Sequence, residues 1–193
     1  MDFTEIMKQK IDYCSRHTDM PMELQQKAKK LCWEYNRTSP EEKEKRSRIL
    51  NELLGTYNPL VFIEPSFRWD YGFNIHFSGF AFINYNCVIL DTSPVNIGEG
   101  VFIAPGVCIA CSGHAIHSSQ RAEGIGTSKP ITIEDNVWIG ANSTVCGGVT
   151  IGEGSIIGAG SVVNKDIPEG VIAVGNPCRV LRKITDEDLV KLY

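Results

Sequence analysis

Four histidines, seven cysteines and a few polar residues at otherwise apolar positions are the groups through which this chain could do chemistry. Two of the histidines, His114 and His117, fall in one irregular stretch, Cys111 to Pro130. Imidazole titrates near neutral pH, so a loop histidine is a candidate general base, and His114 is the stronger of the two. Their His-x-x-His spacing raises a metal site, but two ligands are too few and Glu123 is the one acidic residue nearby, so no metal is expected. Cys108-Ile-Ala-Cys111 has CxxC spacing, yet a zinc ribbon needs a second pair and a redox site needs a helix start, where this segment reads as strand. The cysteines are therefore expected as packed, reduced thiols. Asn84, Asp70 and Asp91 stand at positions where the surrounding pattern is apolar, and burying them without a role is costly. For the two aspartates, Asx-turn capping at a chain corner is the alternative. His17 and His76 carry no usable signal.

The element that must position these groups is a repeat. Ile97, Ile103 and Ile109 stand six apart, and Ile133, Ile139, Val145, Ile151, Ile157 and Val163 continue the same step. A second apolar or small residue sits two positions earlier, as in Val95, Val101, Val107, Ile131, Val137, Ser143, Val149, Ser155 and Ser161. A weaker series, Ile63, Trp69, Ile75, Ala81 and Cys87, precedes it in a different phase. A period of six drifts off any helix face but suits a short strand plus a turn. Stacked coils of three such units form a parallel β-helix of triangular section whose aliphatic ladders fill the interior. The 24-residue gap between Ile109 and Ile133 preserves the phase, so residues 110–132 form a loop excursion from a rigid solenoid, a common place for function.

Ahead of the repeat, residues 1–57 read as a charged helical segment, with 58–193 as the β-helix and its tail. A helix is predicted from about Met22 to Tyr35, with Leu24, Ala28, Leu31 and Tyr35 on one face. Ser39-Pro40-Glu41-Glu42 reads as a capping box with proline at the first helical position, and Gly55 as the stop of the helix that follows. Thr185 to Asp188 reads as a capping box for a short closing helix. With 19 basic and 23 acidic side chains, a net charge of −4 and no long apolar run, the chain resembles neither a nucleic-acid binder nor a membrane protein. The absence of an export-like N-terminus points to the cytoplasm.

Taken together, these segments resemble the maltose and galactoside O-acetyltransferases of the hexapeptide-repeat acyltransferases. The resemblance rests on Leu31-Cys-Trp-Glu-Tyr-Asn36, Asp70-Tyr-Gly-Phe-Asn-Ile75, Phe82 to Asp91, Ile103-Ala-Pro105, Gly113-His114, Asn136-Val-Trp-Ile-Gly140, Gly158 to Val162, Asp166-Ile-Pro168 and Gly175 to Val180. It implies a mainly β fold, a left-handed parallel β-helix with an N-terminal α-helical segment and a short C-terminal helix. It implies acetyl-CoA as cosubstrate, a sugar acceptor, and a homotrimer with sites between subunits. His114 is then the base for direct attack of a hydroxyl on the thioester, and Asn84 positions the acceptor and polarises the thioester. Asp70 and Asp91 become candidates for sugar hydroxyl contacts or for holding the imidazole. The resemblance places backbone near Ala141 and Ala159 along the pantetheine arm, and Asn164, Lys165, Arg179 and Arg182 near the coenzyme phosphates. Trp138 either walls the site or packs between subunits. Relatives commonly carry an Asp and an Arg in the first helical segment that contact the acceptor. Here that stretch is His17 to Gln26 with no Arg at the expected place, and Ala115 follows His114 where proline is frequent. An acetyltransferase for a non-sugar acceptor and a noncatalytic scaffold are the competing readings.

Overall fold

The computed structural model describes residues 2–192 and winds them into a left-handed parallel β-helix with an N-terminal helical segment. Each coil contributes one short strand to each of three faces. Face 1 stacks Val61–Ile63, Ala81–Ile83, Val101–Ile103, Trp138–Ile139, Ile156–Ile157 and Val171–Val174 in parallel, and an antiparallel strand, Arg179–Lys183, ends it. Face 2 stacks Arg68–Trp69, Val88–Leu90, Cys108–Ala110, Thr144–Cys146 and Val162–Val163; face 3 stacks Ile75–Phe77, Val95–Ile97, Ile131–Ile133 and Thr150–Ile151. Register places like above like. Ile63, Ile83, Ile103, Ile139 and Ile157 form one buried ladder and Trp69, Ile89, Ile109, Val145 and Val163 the next. The third runs through Phe77, Ile97, Ile133 and Ile151.

The change of phase in the early repeats has a local cause. Ile139 and Ile157 are 18 residues apart, but Ile63, Ile83 and Ile103 are 20 apart. The two extra residues enter each time at the corner between faces 2 and 3, before Ile75–Phe77 and before Val95–Ile97. Ile75, Ala81 and Cys87 thereby move to the other inward position, which is equally buried. In the third coil the same corner opens into the long loop, so the widened corners form the base on which that loop stands.

The N-terminal segment shares the core of the β-helix. Helix α1 (Phe3–Met7) is capped by Asp2, whose carboxylate accepts from the Thr4 N–H at 3.2 Å, and buries Met7. Helix α2 (Met22–Tyr35) buries Ala28, Leu31 and Tyr35 as its spacing predicts, while Leu24 stays exposed. Tyr35 donates to the Ile63 carbonyl at 2.6 Å and Trp69 donates to the Ala28 carbonyl at 3.0 Å, which ties α2 to the first coil. Helix α3 begins at Lys43, three residues later than the capping box suggests, and runs to Leu53. The box closes on itself: the Ser39 N–H donates to Glu42 at 2.7 Å, and Pro40 and Glu41 form a turn ahead of the helix. Gly55 is not a left-handed helix cap; a Cβ there would lie 2.1 Å from the Phe73 carbonyl oxygen, so close approach of two backbones explains the glycine. The C-terminal box is present as read, with Thr185 and Asp188 capping a single 3-10 turn, Asp186–Asp188.

Candidate active site

The loop leaves the corner between faces 2 and 3 as a hairpin. Ser112–His114 pairs with Ile125–Ser128, and Ile125–Ser128 pairs on its other edge with Tyr13–Arg16 from the N-terminal segment. The result is a three-stranded antiparallel sheet beside the solenoid. The strands approach closely at Gly113, where a Cβ would sit 2.8 Å from the Thr127 hydroxyl. A hydroxyl cluster fastens the sheet to the coil below. Ser128 Oγ lies 2.6 Å from Thr92 Oγ1 and 2.7 Å from Ser93 Oγ, and Tyr13 donates to the Thr92 carbonyl at 2.6 Å. Burial raises the Tyr13 pKa, so its phenol remains a donor at neutral pH.

His114 is the last residue of its strand, exposed, with no hydrogen bond to its ring among the described residues. It stands between two hollows. A small pocket of about 120 Å³ is walled by Tyr13, Ser15, His17, Met20, Thr92 and Ser128 as well as His114. A wide cleft of about 1070 Å³ is bounded by Cys14, Ile116, His117, Gln120, Ile125 and Lys129. Past His114 the backbone is braced: Arg121 donates to the Ala115 carbonyl at 2.8 Å and also to the Ile116 carbonyl. His117 precedes a short helix, α4 (Ser118–Ala122), and its Nδ1 lies 2.7 Å from Ser119 Oγ. Among the described residues no three His, Cys, Asp or Glu side chains come together as a metal site.

The other sequence candidates divide into three groups. Asp91 is fully buried under the same corner as the loop. Its carboxylate accepts from the Tyr71 N–H at 2.9 Å, the Asp70 N–H at 3.1 Å and the Asn74 N–H at 3.3 Å. Desolvation pushes its pKa up to about 6 against these backbone donors. Asp91 thus staples its coil to the corner of the preceding coil by long-range contacts, which is not a local Asx-turn, and it has no free face for a ligand. Asp70 accepts from Gln25 of α2 at 3.4 Å, and neither aspartate lines a hollow beside His114. Burial raises the Asp70 pKa too.

Asn84, Ala141 and Ala159 occupy a different edge, the corner between faces 1 and 2. The Asn84 side chain accepts from the Tyr85 N–H at 2.8 Å. Tyr85, Pro105, Ala141 and Ala159 are stacked there coil upon coil: the Gly106 N–H donates to Tyr85, Asn142 to Pro105 and Gly160 to Ala141, at 2.8–2.9 Å. Gly140 meets the coil above, since a Cβ would lie 2.6 Å from the Ala159 nitrogen, whereas Gly160, at φ +70, faces open space. The ridge is therefore open along Ala159 and Gly160. Trp138 lies on the outside of face 1, half-exposed. Face 2 separates Asn84 from His114, so a single chain does not bring them together.

At the C-terminal end, Asn164 accepts from Arg179 at 3.5 Å, and Lys165 beside it is exposed. Arg182 is not a free cation. It forms a two-pronged pair with Asp188, at 2.6 and 2.7 Å, which holds the Asp188 carboxyl down to about 2. The cysteines are thiols, and burial pushes Cys111 up to about 12, so neither it nor its CxxC partner Cys108, also raised by burial, is poised as a nucleophile. Sequence reasoning passed over Tyr13 and Ser15, which wall the pocket beside His114 together with His17 and Met20 of the stretch His17 to Gln26.

The maltose acetyltransferase hexapeptide capping motif matches residues 13–58, and the bacterial transferase hexapeptide model (six repeats) matches residues 130–165. A galactoside O-acetyltransferase of Escherichia coli is 44% identical over 174 residues, 89% of this chain and 86% of its own length. The crystal structure of a maltose O-acetyltransferase from Clostridium difficile superposes with a TM-score of 0.86 at 40% identity, covering 96% of this chain and 99% of that one. A hexapeptide-repeat acetyltransferase from Vibrio cholerae, solved with acetyl coenzyme A, superposes at 0.89 with 33% identity, covering 96% of this chain and all of the other.

Proposed function

The chain belongs to the maltose and galactoside O-acetyltransferase family of hexapeptide-repeat acyltransferases, and from that premise we propose that it transfers acetyl from acetyl-CoA to a sugar hydroxyl with His114 as general base. The observation that carries this reading is the position of His114: exposed, unengaged, and set between a small pocket and a wide cleft. Acetyl-CoA supplies an activated thioester. His114 accepts the hydroxyl proton as the oxygen attacks the thioester carbonyl, then returns that proton to the departing coenzyme thiolate as the C–S bond breaks. No covalent acyl-enzyme is needed, in keeping with thiols that burial holds protonated.

The acceptor occupies the pocket beside His114, so the N-terminal segment 1–57 contributes its wall through Tyr13–Arg16, His17 and Met20. The pantetheine arm follows the open ridge at Ala141 and Ala159, with its phosphates toward Asn164, Lys165 and Arg179. Arg182 is held by Asp188 and stands at the edge of that group. Asn84 and Trp138 line the thioester end. Because His114 and Asn84 sit on opposite edges of face 2, the complete site needs His114 of one copy and Asn84 of another. A closed homotrimer supplies three such sites. We place the enzyme in the cytoplasm, where acetyl-CoA is made and thiols stay reduced; no described helix is long and apolar enough to cross a membrane.

The test is coenzyme thiol release from acetyl-CoA with maltose, glucose, galactosides and amino sugars as acceptors. Release that depends on a sugar, with a hydroxylamine-labile ester as product, supports the proposal. An amide product moves the acceptor to an amine, and silence throughout, with no acetyl-CoA bound, refutes it.

A further inference from the structure

We infer that a hollow between α3 and the first coil is a binding site for a small aromatic acid that carries a hydrogen-bond donor at its far end. The hollow measures about 520 Å³, within the usual range for small-molecule sites, and shares no residue with either hollow beside His114. Its helical wall is one stripe of α3. Lys43, Arg46, Ser47 and Leu50 recur at the three- and four-residue steps that place side chains on one side of a helix. Leu50 is buried and forms the apolar end of the stripe, but the rest is polar where a packed helix would be apolar. The opposite wall comes from the solenoid side, with Tyr57, Phe62, Glu64 and Tyr85. Phe62 and Tyr85 keep 46% and 50% of their surface exposed, so two aromatic faces await a cover.

The charges in the hollow are sorted by wall. Both cations stand on the helix, and the one carboxylate, Glu64, stands on the coil. Elsewhere on α2 and α3 lysines are paired, Lys45 with Glu42 at 2.9 Å and Lys27 with Glu52 at 3.0 Å. Lys43 and Arg46 form no ion pair among the described residues, with Glu64 or with any other acid. Arg46 is nonetheless fixed. Its Nε donates to Thr38 Oγ1 at 2.7 Å, its Nη2 donates to the Thr38 carbonyl at 3.3 Å, and its guanidinium lies 5.9 Å from the centre of the Tyr35 ring. Nη1 has no partner among the described residues. A guanidinium held in place with one edge unused loses little freedom on meeting an anion. An acid group set against Lys43 and Arg46 gains charge-assisted hydrogen bonds. A flat ring behind it covers Phe62 and Tyr85, and a hydroxyl or amine at the far end donates to Glu64. An occupant negative at both ends is repelled by Glu64, and an uncharged one leaves both cations unanswered.

The probe is para-hydroxybenzoate, with para-hydroxybenzyl alcohol and inorganic phosphate beside it, titrated into the full chain by calorimetry and saturation-transfer NMR. Its Kd is expected on the order of 1 mM for so small a molecule. The alcohol and phosphate should bind roughly tenfold more weakly or worse, since each lacks one half of the match. Lys43→Gln and Ser47→Asp place the binding. Both side chains are exposed and form no hydrogen bond among the described residues, so the unfolding midpoint should move little. Each change should weaken binding roughly three- to tenfold, one by removing a cation and the other by adding a carboxylate. No saturable binding to the wild type would overturn the inference, as would unchanged binding by both variants or phosphate binding as tight as the aromatic acid. Displacement of the probe by a sugar acceptor would also overturn it, making the hollow part of the acceptor's path and leaving the proposed transfer standing. Binding is read without turnover, so failure of the proposed transfer leaves this result intact.

Discussion

Replacing Tyr13 by Phe removes one hydroxyl and leaves the ring, which packs edge-on to Phe3 at 5.5 Å and 84°. What is lost is the 2.6 Å hydrogen bond to the Thr92 carbonyl, the contact that fastens the N-terminal strand to a coil 79 residues away. The strand is otherwise held by its ladder to Ile125–Ser128 and by an exposed Lys129–Asp12 pair at 3.0 Å, which contributes little. A hydrogen bond of this kind has a net worth of about 0.5–1.5 kcal/mol, equivalent to roughly a 2- to 13-fold change in a local opening equilibrium. The loss is expected locally, because the strand lies outside the coil ladders. Amides of residues 13–16 should exchange faster by that factor while those of Val101–Ile103 do not change. The acceptor KM should rise by a similar factor with kcat nearly constant, since the strand walls the pocket and does not touch the reacting atoms. Unchanged exchange at residues 13–16 would refute the anchoring argument. So would equal acceleration at Val101–Ile103, which would make the strand part of the global folding unit.

Replacing His114 by Ala should lower turnover by roughly 10²–10⁴-fold, and the unfolding midpoint should not move, because the ring is exposed and unbonded. Kinetics and a thermal melt on the same preparation check both halves. Ala159→Leu projects a branched side chain from the open ridge; KM for acetyl-CoA should rise roughly tenfold or more while kcat changes little, as expected when uniform binding is lost. The Arg182–Asp188 clasp has a definite pH sign. Arg182 depresses the Asp188 carboxyl to about 2, so the clasp is fully formed above the ordinary carboxylate value near 4. It is lost as pH falls through about 2, and carboxyl chemical shifts of Asp188 should titrate there and return toward 4 in Arg182→Gln.

The hexapeptide ladder was legible because every inward position repeats one physical demand, an aliphatic side chain stacked on its own kind. Helix α2 is found at the predicted bounds for the same reason, with Ala28, Leu31 and Tyr35 on the buried stripe. The phase break at Ile75 is visible in the sequence, but its cause, two residues added at one corner, needs the register of Phe77 on Ile97. Partners far apart in sequence were beyond reach. The strand Tyr13–Arg16 is too short to show alternation, and its partner Ile125–Ser128 lies more than a hundred residues on. Asp91 has a polar side chain at a coil position whether it binds a ligand or staples a corner, and only its three backbone donors decide between them. Arg182 reads as a cation from composition, and Asp188 six residues later claims it.

The most direct test of a site shared between copies is subunit complementation. His114→Ala and Asn84→Ala chains are co-expressed, purified as mixed assemblies and assayed for sugar-dependent thiol release from acetyl-CoA. Each variant alone should be nearly silent, because every site in it lacks one of the two residues. In a mixed three-membered ring of either composition, one site in three pairs an intact His114 with an intact Asn84 from the neighbouring copy, and activity should recover to roughly a third of the wild-type value. Silence of the mixed assemblies, with both variants folded and assembled, would contradict a site built from two copies.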